Sequence, residues 1–125
     1  MALNIDGQIG EQKAIAFFKA KGMHCFQSDL IVLDFKGKYF MVEVKYQEAF
    51  EPPPFAGHGL PPYQVKARLA FYQKTGIRCL FMVFDKNDKD IYYNWLDELN
   101  AGNQFLTSTK SRVIFDINEF VRISA

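Results

Sequence analysis

Glu43 and Lys45 stand two residues apart in Tyr39-Phe-Met-Val-Glu-Val-Lys45, at the end of an otherwise apolar run. In a strand, residues two apart share a face, so this carboxylate and this ammonium point the same way while Phe40, Val42 and Val44 take the other. A second apolar run, residues 30–35, precedes it, and Lys36-Gly37-Lys38 between them is a hairpin signal. If the turn is the three-residue Phe35-Lys36-Gly37, with Gly37 in the left-handed position such loops favour, Asp34 faces Lys38 and Asp29 lies opposite Glu43. Directly opposed residues have Cβ atoms ~4.5–5.5 Å apart. Two carboxylates so close repel unless a cation sits between them, and removing one is then neutral or stabilising without metal. Oxygen donors at that spacing suit Mg²⁺, which takes one or two carboxylates plus water and phosphate. A two-residue turn would separate Asp29 from Glu43. Asp34, five residues from Asp29, falls on the opposite face and reads as a turn-flanking residue.

Glu11 adds a third acid. It lies four residues before Ile15 and seven before Phe18, on the inward side of a first helix. Its plainer reading is an acid favoured near a helix N-terminus. Gln64 follows a proline loop at the start of a second helix and could face the same place. His58, between Gly57 and Gly59, reads as a substrate-contacting or exposed histidine on a flexible tip, and His24 as structural. Lys36, Lys38, Lys66 and Arg68 are candidate phosphate contacts, each equally explained as surface charge. Glu43 and Lys45 also fit a solvated edge-strand face; Asp29 and Glu11 weigh against that.

The elements that must position these groups follow from periodicity. Residues 8–21 predict a helix with Ile15 and Phe18 on its apolar face, stopped by Gly22. All five prolines fall within residues 52–62, so the segment 51–62 predicts an extended loop, ordered at its base and mobile around residues 57–59. Residues 63–74 predict a second helix with Val65, Leu69 and Tyr72 as its stripe. Strands are expected at residues 78–85, 90–95 and 112–117, a polar turn at 86–89, one helical turn at 96–100 and a short terminal helix at 118–122. The order describes one α/β domain over residues 1–125, a sheet flanked by helices.

Composition bounds the rest. With 49% apolar residues and 13 Phe among 125, the chain can bury a core without disulfides or metal staples. No apolar run approaches the roughly 18–20 residues of a membrane span, and the N-terminus lacks signal-peptide character, so a cytoplasmic location is expected. Cys25 and Cys79 lie in apolar runs and read as buried free thiols rather than zinc ligands. The net charge of +1 gives no global basic excess, so any contact with nucleic acid must rest on local patches.

Asp29, a strand, then Glu43-Val44-Lys45 resembles the D…ExK core of the PD-(D/E)XK nucleases, with Ser28 where a proline often precedes the Asp. The preceding Glu11 and following Gln64 resemble Holliday-junction resolvase-like and phage-type members. The resemblance spans residues 7–95 and implies a restriction-endonuclease-like fold, a mixed central β-sheet flanked by helices. It further implies a Mg²⁺- or Mn²⁺-dependent endonuclease acting on DNA, including branched, recombination or repair intermediates. Asp29, Glu43 and the main-chain carbonyl of Val44 would hold the metal, Glu11 would coordinate directly or through water, and Lys45 would orient the attacking water. Cutting two strands implies a homodimer, with residues 92–95 and 112–117 as candidate surfaces. A non-cutting nucleic-acid-binding domain of the same fold and a protein–protein adaptor are the competing readings.

Overall fold

The computed structural model describes residues 5–26 and 30–124, with the side chain of Phe26 outside the description. The chain runs α1 (Ile5–Ala20), β1 (His24–Phe26), β2 (Ile31–Leu33), β3 (Tyr39–Gln47), β4 (Gly57–Leu60), α2 (Pro62–Thr75), β5 (Cys79–Asp85) and β6 (Ile91–Trp95). It continues with α3 (Leu96–Ala101), β7 (Gln104–Leu106), β8 (Val113–Asp116), a 3-10 turn (Ile117–Glu119) and β9 (Val121–Ile123). Six strands form one sheet in the order β1-β2-β3-β5-β6-β9, and three form a second, β4-β8-β7. Within the large sheet β3 and β5 are parallel and the other pairs antiparallel, so the sheet is mixed. Parallel neighbours need a long crossover. Residues 48–78 supply it, and the proline-rich segment lies inside that crossover.

The alternation of β5 divides the core in two. Cys79, Phe81 and Val83 point to one face with Met41, Val65, Leu96, Leu99 and Phe115. Leu80 and Met82 point to the other, with Val42, Ala14, Ile15 and Phe18. The large sheet is therefore covered by α1 on one face and by α2, α3 and the small sheet on the other. Gly10 lets α1 approach β3: a Cβ there would lie 3.3 Å from atoms of both Val44 and Tyr46. The caps follow local chemistry. Pro62 opens α2, where its missing N–H costs nothing, and Gly76 closes it at φ 77° with its N–H donating to the Tyr72 carbonyl at 2.8 Å.

Several sequence expectations are corrected here. Residues 57–60 are not a mobile tip but the buried strand β4. Residues 118–122 are not a helix; the 3-10 turn leads into β9, which pairs with β6. Over Ile91 to Tyr93 and Val113 to Asp116 the strand edges of the two candidate assembly surfaces are already paired. β6 lies between β5 and β9, Tyr92 is 2% exposed, and β8 is the central strand of the small sheet. Among the described residues no helix is long and apolar enough to cross a membrane. Both cysteines are free, Cys79 buried and Cys25 partly so. Burial pushes the Cys79 thiol up to about 12, with the Glu43 charge adding to the effect.

Candidate functional site

The hairpin takes the three-residue register. Ile31, Val32 and Leu33 pair with Met41, Phe40 and Tyr39, the Asp34 N–H donates to the Lys38 carbonyl at 2.9 Å, and Gly37 has φ 79°. Asp34 is a turn residue: its Oδ1 accepts the N–H groups of Lys36 and Lys38 at 2.8 and 2.9 Å. These bonds, the one from Lys38 foremost, hold its carboxyl below the usual range. β2 ends at the Ile31–Met41 pair, whereas β3 runs on to Gln47. Past Met41 one side of β3 is thus an open edge within the described residues. Leu30 closes its start: its carbonyl accepts the Val42 N–H at 2.9 Å. Asp29, the residue before Leu30, lies outside the described residues.

Backbone groups along a strand alternate in direction. The Met41 N–H points to β5, where it meets the Arg78 carbonyl, and the Val42 N–H points the other way to Leu30. By the same alternation Val44 directs its carbonyl to the open edge.

Glu43 and Lys45 share the face that looks toward α2, as do Met41 and Gln47. Glu43, its side chain 14% exposed, accepts a hydrogen bond from Nε of Arg68 at 3.0 Å. Glu11, Glu43, Val44, Leu30 and Arg68 line one small polar cavity of about 150 Å³ at the open edge. Glu11 itself is exposed, at the flank of the buried α1 face rather than within it. Lys45 lines a second cavity of about 260 Å³, which shares Gly7 and Val44 with the first. Lys45 makes no ion pair with any described residue.

The remaining candidates divide. Gln64 lies one helical turn before Arg68, on the same side of α2. Its Oε1 is buried and has no hydrogen-bond partner among the described residues, while its Nε2 sits 3.4 Å from the Tyr63 hydroxyl. Lys66 is exposed and borders an apolar pocket with Tyr63, Leu69 and Val113. Lys36 and Lys38 sit at the hairpin tip; five residues of strand separate Lys38 from Glu43, roughly 17 Å. They do not join the site. Among the described residues no three His, Cys, Asp or Glu side chains cluster to hold a metal ion. Glu11 and Glu43 are, among the described residues, the carboxylates that line the cavity.

His58 is the clearest correction. It is 1% exposed, so it is no free contact for nucleic acid. Its Nε2 lies 3.0 Å from Asp85 Oδ2 and its Nδ1 3.1 Å from Gln47 Oε1. Gln47 also accepts the Gly59 N–H at 3.2 Å, and Asp85 Oδ1 accepts the N–H groups of Asn87 and Asp88. This network ties β4 to the adjacent ends of β3 and β5. Sequence reasoning missed it, although Glu43, Lys45 and Gln47 extend one polar face in steps of two.

Burial holds the His58 imidazole below its ordinary value, against the pull of Asp85. The unfolded chain then takes up a proton near pH 6.5 that the folded chain refuses, so stability is full above about pH 6.5 and falls as pH drops below it. One proton limits the slope to about 1.4 kcal/mol per pH unit. Melting temperatures from pH 7.5 to 5.5 are expected to fall, and a His58→Gln variant is expected to lose that part of the dependence. An unchanged profile in the variant would assign the effect elsewhere.

No family model matches this chain, and no curated protein matches it in sequence.

Proposed function

We propose that this chain is a metal-dependent endonuclease of the PD-(D/E)XK type, with a restriction-endonuclease-like fold, hydrolysing phosphodiester bonds in DNA. One observation carries the reading. Glu43 and Lys45 share one face of β3 where β2 has ended, and Glu11 lines the Glu43 cavity. The donor chemistry fits Mg²⁺ or Mn²⁺: two carboxylates and the Val44 carbonyl aimed at the open edge, all hard oxygens. Gln64 is not among the residues lining that cavity, and its buried Oε1, without a donor among the described residues, is no part of the fit.

The metal, when bound, supplies a Lewis acid and a lowered water pKa. Glu43 and Glu11 would hold it through their carboxylates; Asp29, the third ligand the resemblance implies, lies outside the described residues. Lys45, free of ion pairs among the described residues, has its charge available to orient the attacking water and to offset charge developing on the phosphorus. Arg68 neutralises Glu43 through the 3.0 Å bond from its Nε, and would be free to meet phosphate if Glu43 held a cation.

Arg68 also favours a second reading. A guanidinium bonded to the central carboxylate at 3.0 Å is what a binding domain that no longer cuts would carry in place of a metal. Incubation with supercoiled plasmid, linear duplex, single strands and a four-way junction separates the two. Cleavage with Mn²⁺ and none with a chelator is expected. Binding without cleavage under any divalent cation would establish the non-cutting domain, and neither binding nor cleavage would leave an adaptor. Double-strand cutting needs two sites, so a homodimer on DNA belongs to the proposal. A monomer in sedimentation, alone and on DNA, would restrict the activity to nicking or single strands.

A further inference from the structure

The cavity holding Lys45 contains a second cation that the hydrolytic chemistry above does not use. Arg112 immediately precedes β8 and lines the same 260 Å³ cavity as Lys45, together with Gly59 and Pro61 at the end of β4. Its backbone is fixed at the neck of the β7–β8 hairpin. The Arg112 N–H donates to Thr107 Oγ1 at 3.2 Å, and its carbonyl accepts the Thr107 N–H at 2.9 Å. The side chain is partly buried and, among the described residues, makes no ion pair. Arg112 also lines the adjoining polar pocket with Asp6, Glu48 and Glu51, none of which reaches ion-pair distance of it, and Asp6, which lines both cavities, is bonded to Lys86 at 2.6 Å. Two like charges lining one cavity, neither within ion-pair distance of a described carboxylate, repel each other. An anion between them reverses the sign of the interaction.

We propose that Arg112 and Lys45 form a subsite for a phosphate oxyanion, next to the acidic cavity of Glu43 and Glu11. The two cavities share Gly7 and Val44, so their contents are neighbours along one track. The acidic half suits a cation and the basic half an anion, which is the charge pattern a phosphodiester chain meets when one phosphate reacts and the next is gripped. A planar guanidinium on a fixed backbone grips phosphate through two N–H groups at once, which an ammonium cannot do. The small sheet thereby contributes a residue to the site, a function for β4, β7 and β8 beyond covering the core. That the anion belongs to a nucleic acid rests on the nuclease reading; the subsite itself does not.

The test compares the full chain with Arg112→Gln and Arg112→Lys in metal-free buffer, with melting curves to confirm folding. In one arm inorganic phosphate is the probe, followed by broadening of its ³¹P line. In the other the probe is a short labelled DNA duplex, titrated across a salt series. Arg112→Gln is expected to abolish the phosphate broadening, weaken duplex binding about ten-fold and lower the salt slope by about 0.9, one phosphate contact's worth. Arg112→Lys is expected to keep the slope and lose part of the affinity. Unchanged phosphate broadening in a folded Arg112→Gln chain overturns the subsite. Arg112-dependent phosphate binding without duplex binding leaves the subsite standing and removes the nuclease reading. A parent chain that binds neither probe removes both.

Discussion

Glu43→Gln is expected to lower Mn²⁺-dependent cleavage roughly a thousand-fold and to abolish metal binding, with the fold intact. Losing the central ligand removes several kcal/mol of transition-state charge stabilisation, and about 4 kcal/mol is a thousand-fold in rate. The amide keeps an oxygen for the Arg68 Nε–H, so the bond that now runs at 3.0 Å survives in weaker form. With the pair partly exposed, the stability change is expected to stay under about 1 kcal/mol. The sequence alone gave removal of this carboxylate as neutral or stabilising through relief of repulsion. The Arg68 ion pair reverses that sign, and Glu43→Ala, which leaves Arg68 unpaired, is expected to melt slightly lower than Glu43→Gln. Lys45→Ala is the companion: it should also fail to cut but still bind Mn²⁺, because it holds no metal. Calorimetric Mn²⁺ titration of the three chains decides. Full cleavage by the Glu43→Gln variant would remove the proposed site altogether.

What was legible followed strict local rules. The hairpin register came from one glycine and a period of two, since a turn with a left-handed residue fixes which pairs oppose. The two central helices came from apolar spacing and their Pro and Gly boundaries. β7 and β9 span three residues each, too short for a periodicity to declare itself. Arg68 was visible as a charge on α2 but not as the partner of Glu43, because that pairing depends on how α2 crosses the sheet. Arg112 was invisible for the same reason. It reaches Lys45's cavity only through the small sheet, which brings a residue sixty-seven positions away in sequence to the end of β3. His58 was misread because Gly-His-Gly carries no strand propensity. Its glycines are there for close approach, not for freedom.

That distinction sets the sign of the last prediction. A Cβ on Gly59 would lie 2.3 Å from the Val113 carbonyl oxygen and 2.7 Å from Ile114 Cδ1, and one on Gly57 would lie 2.1 Å from the Phe115 carbonyl oxygen. The oxygens belong to the backbone of β8, paired with β4 residue by residue from Gly57–Asp116 to Leu60–Val113. Neither can yield without opening that ladder. Gly59→Ala also pushes its own N–H away from Gln47, which is shared with buried His58. Overpacking typically costs ~1–3 kcal/mol, and a backbone clash this close puts it at about 3 kcal/mol. For a chain of this length that is a fall of roughly 10 °C in melting temperature. Gly22→Ala is the control. Gly22 has φ 79° but nothing within 4 Å of the added Cβ, so it carries only the left-handed backbone cost of about 1 kcal/mol. A mobile glycine tip would behave in the opposite way, since Gly→Ala in a flexible loop stabilises by ~0.4–1 kcal/mol through the unfolded state. Thermal melts of both variants therefore separate the alternatives by sign. A Gly59→Ala chain that melts at or above the parent temperature would show that β4 is not held against β8, and with it the small sheet that carries Arg112 to the site would lose its support.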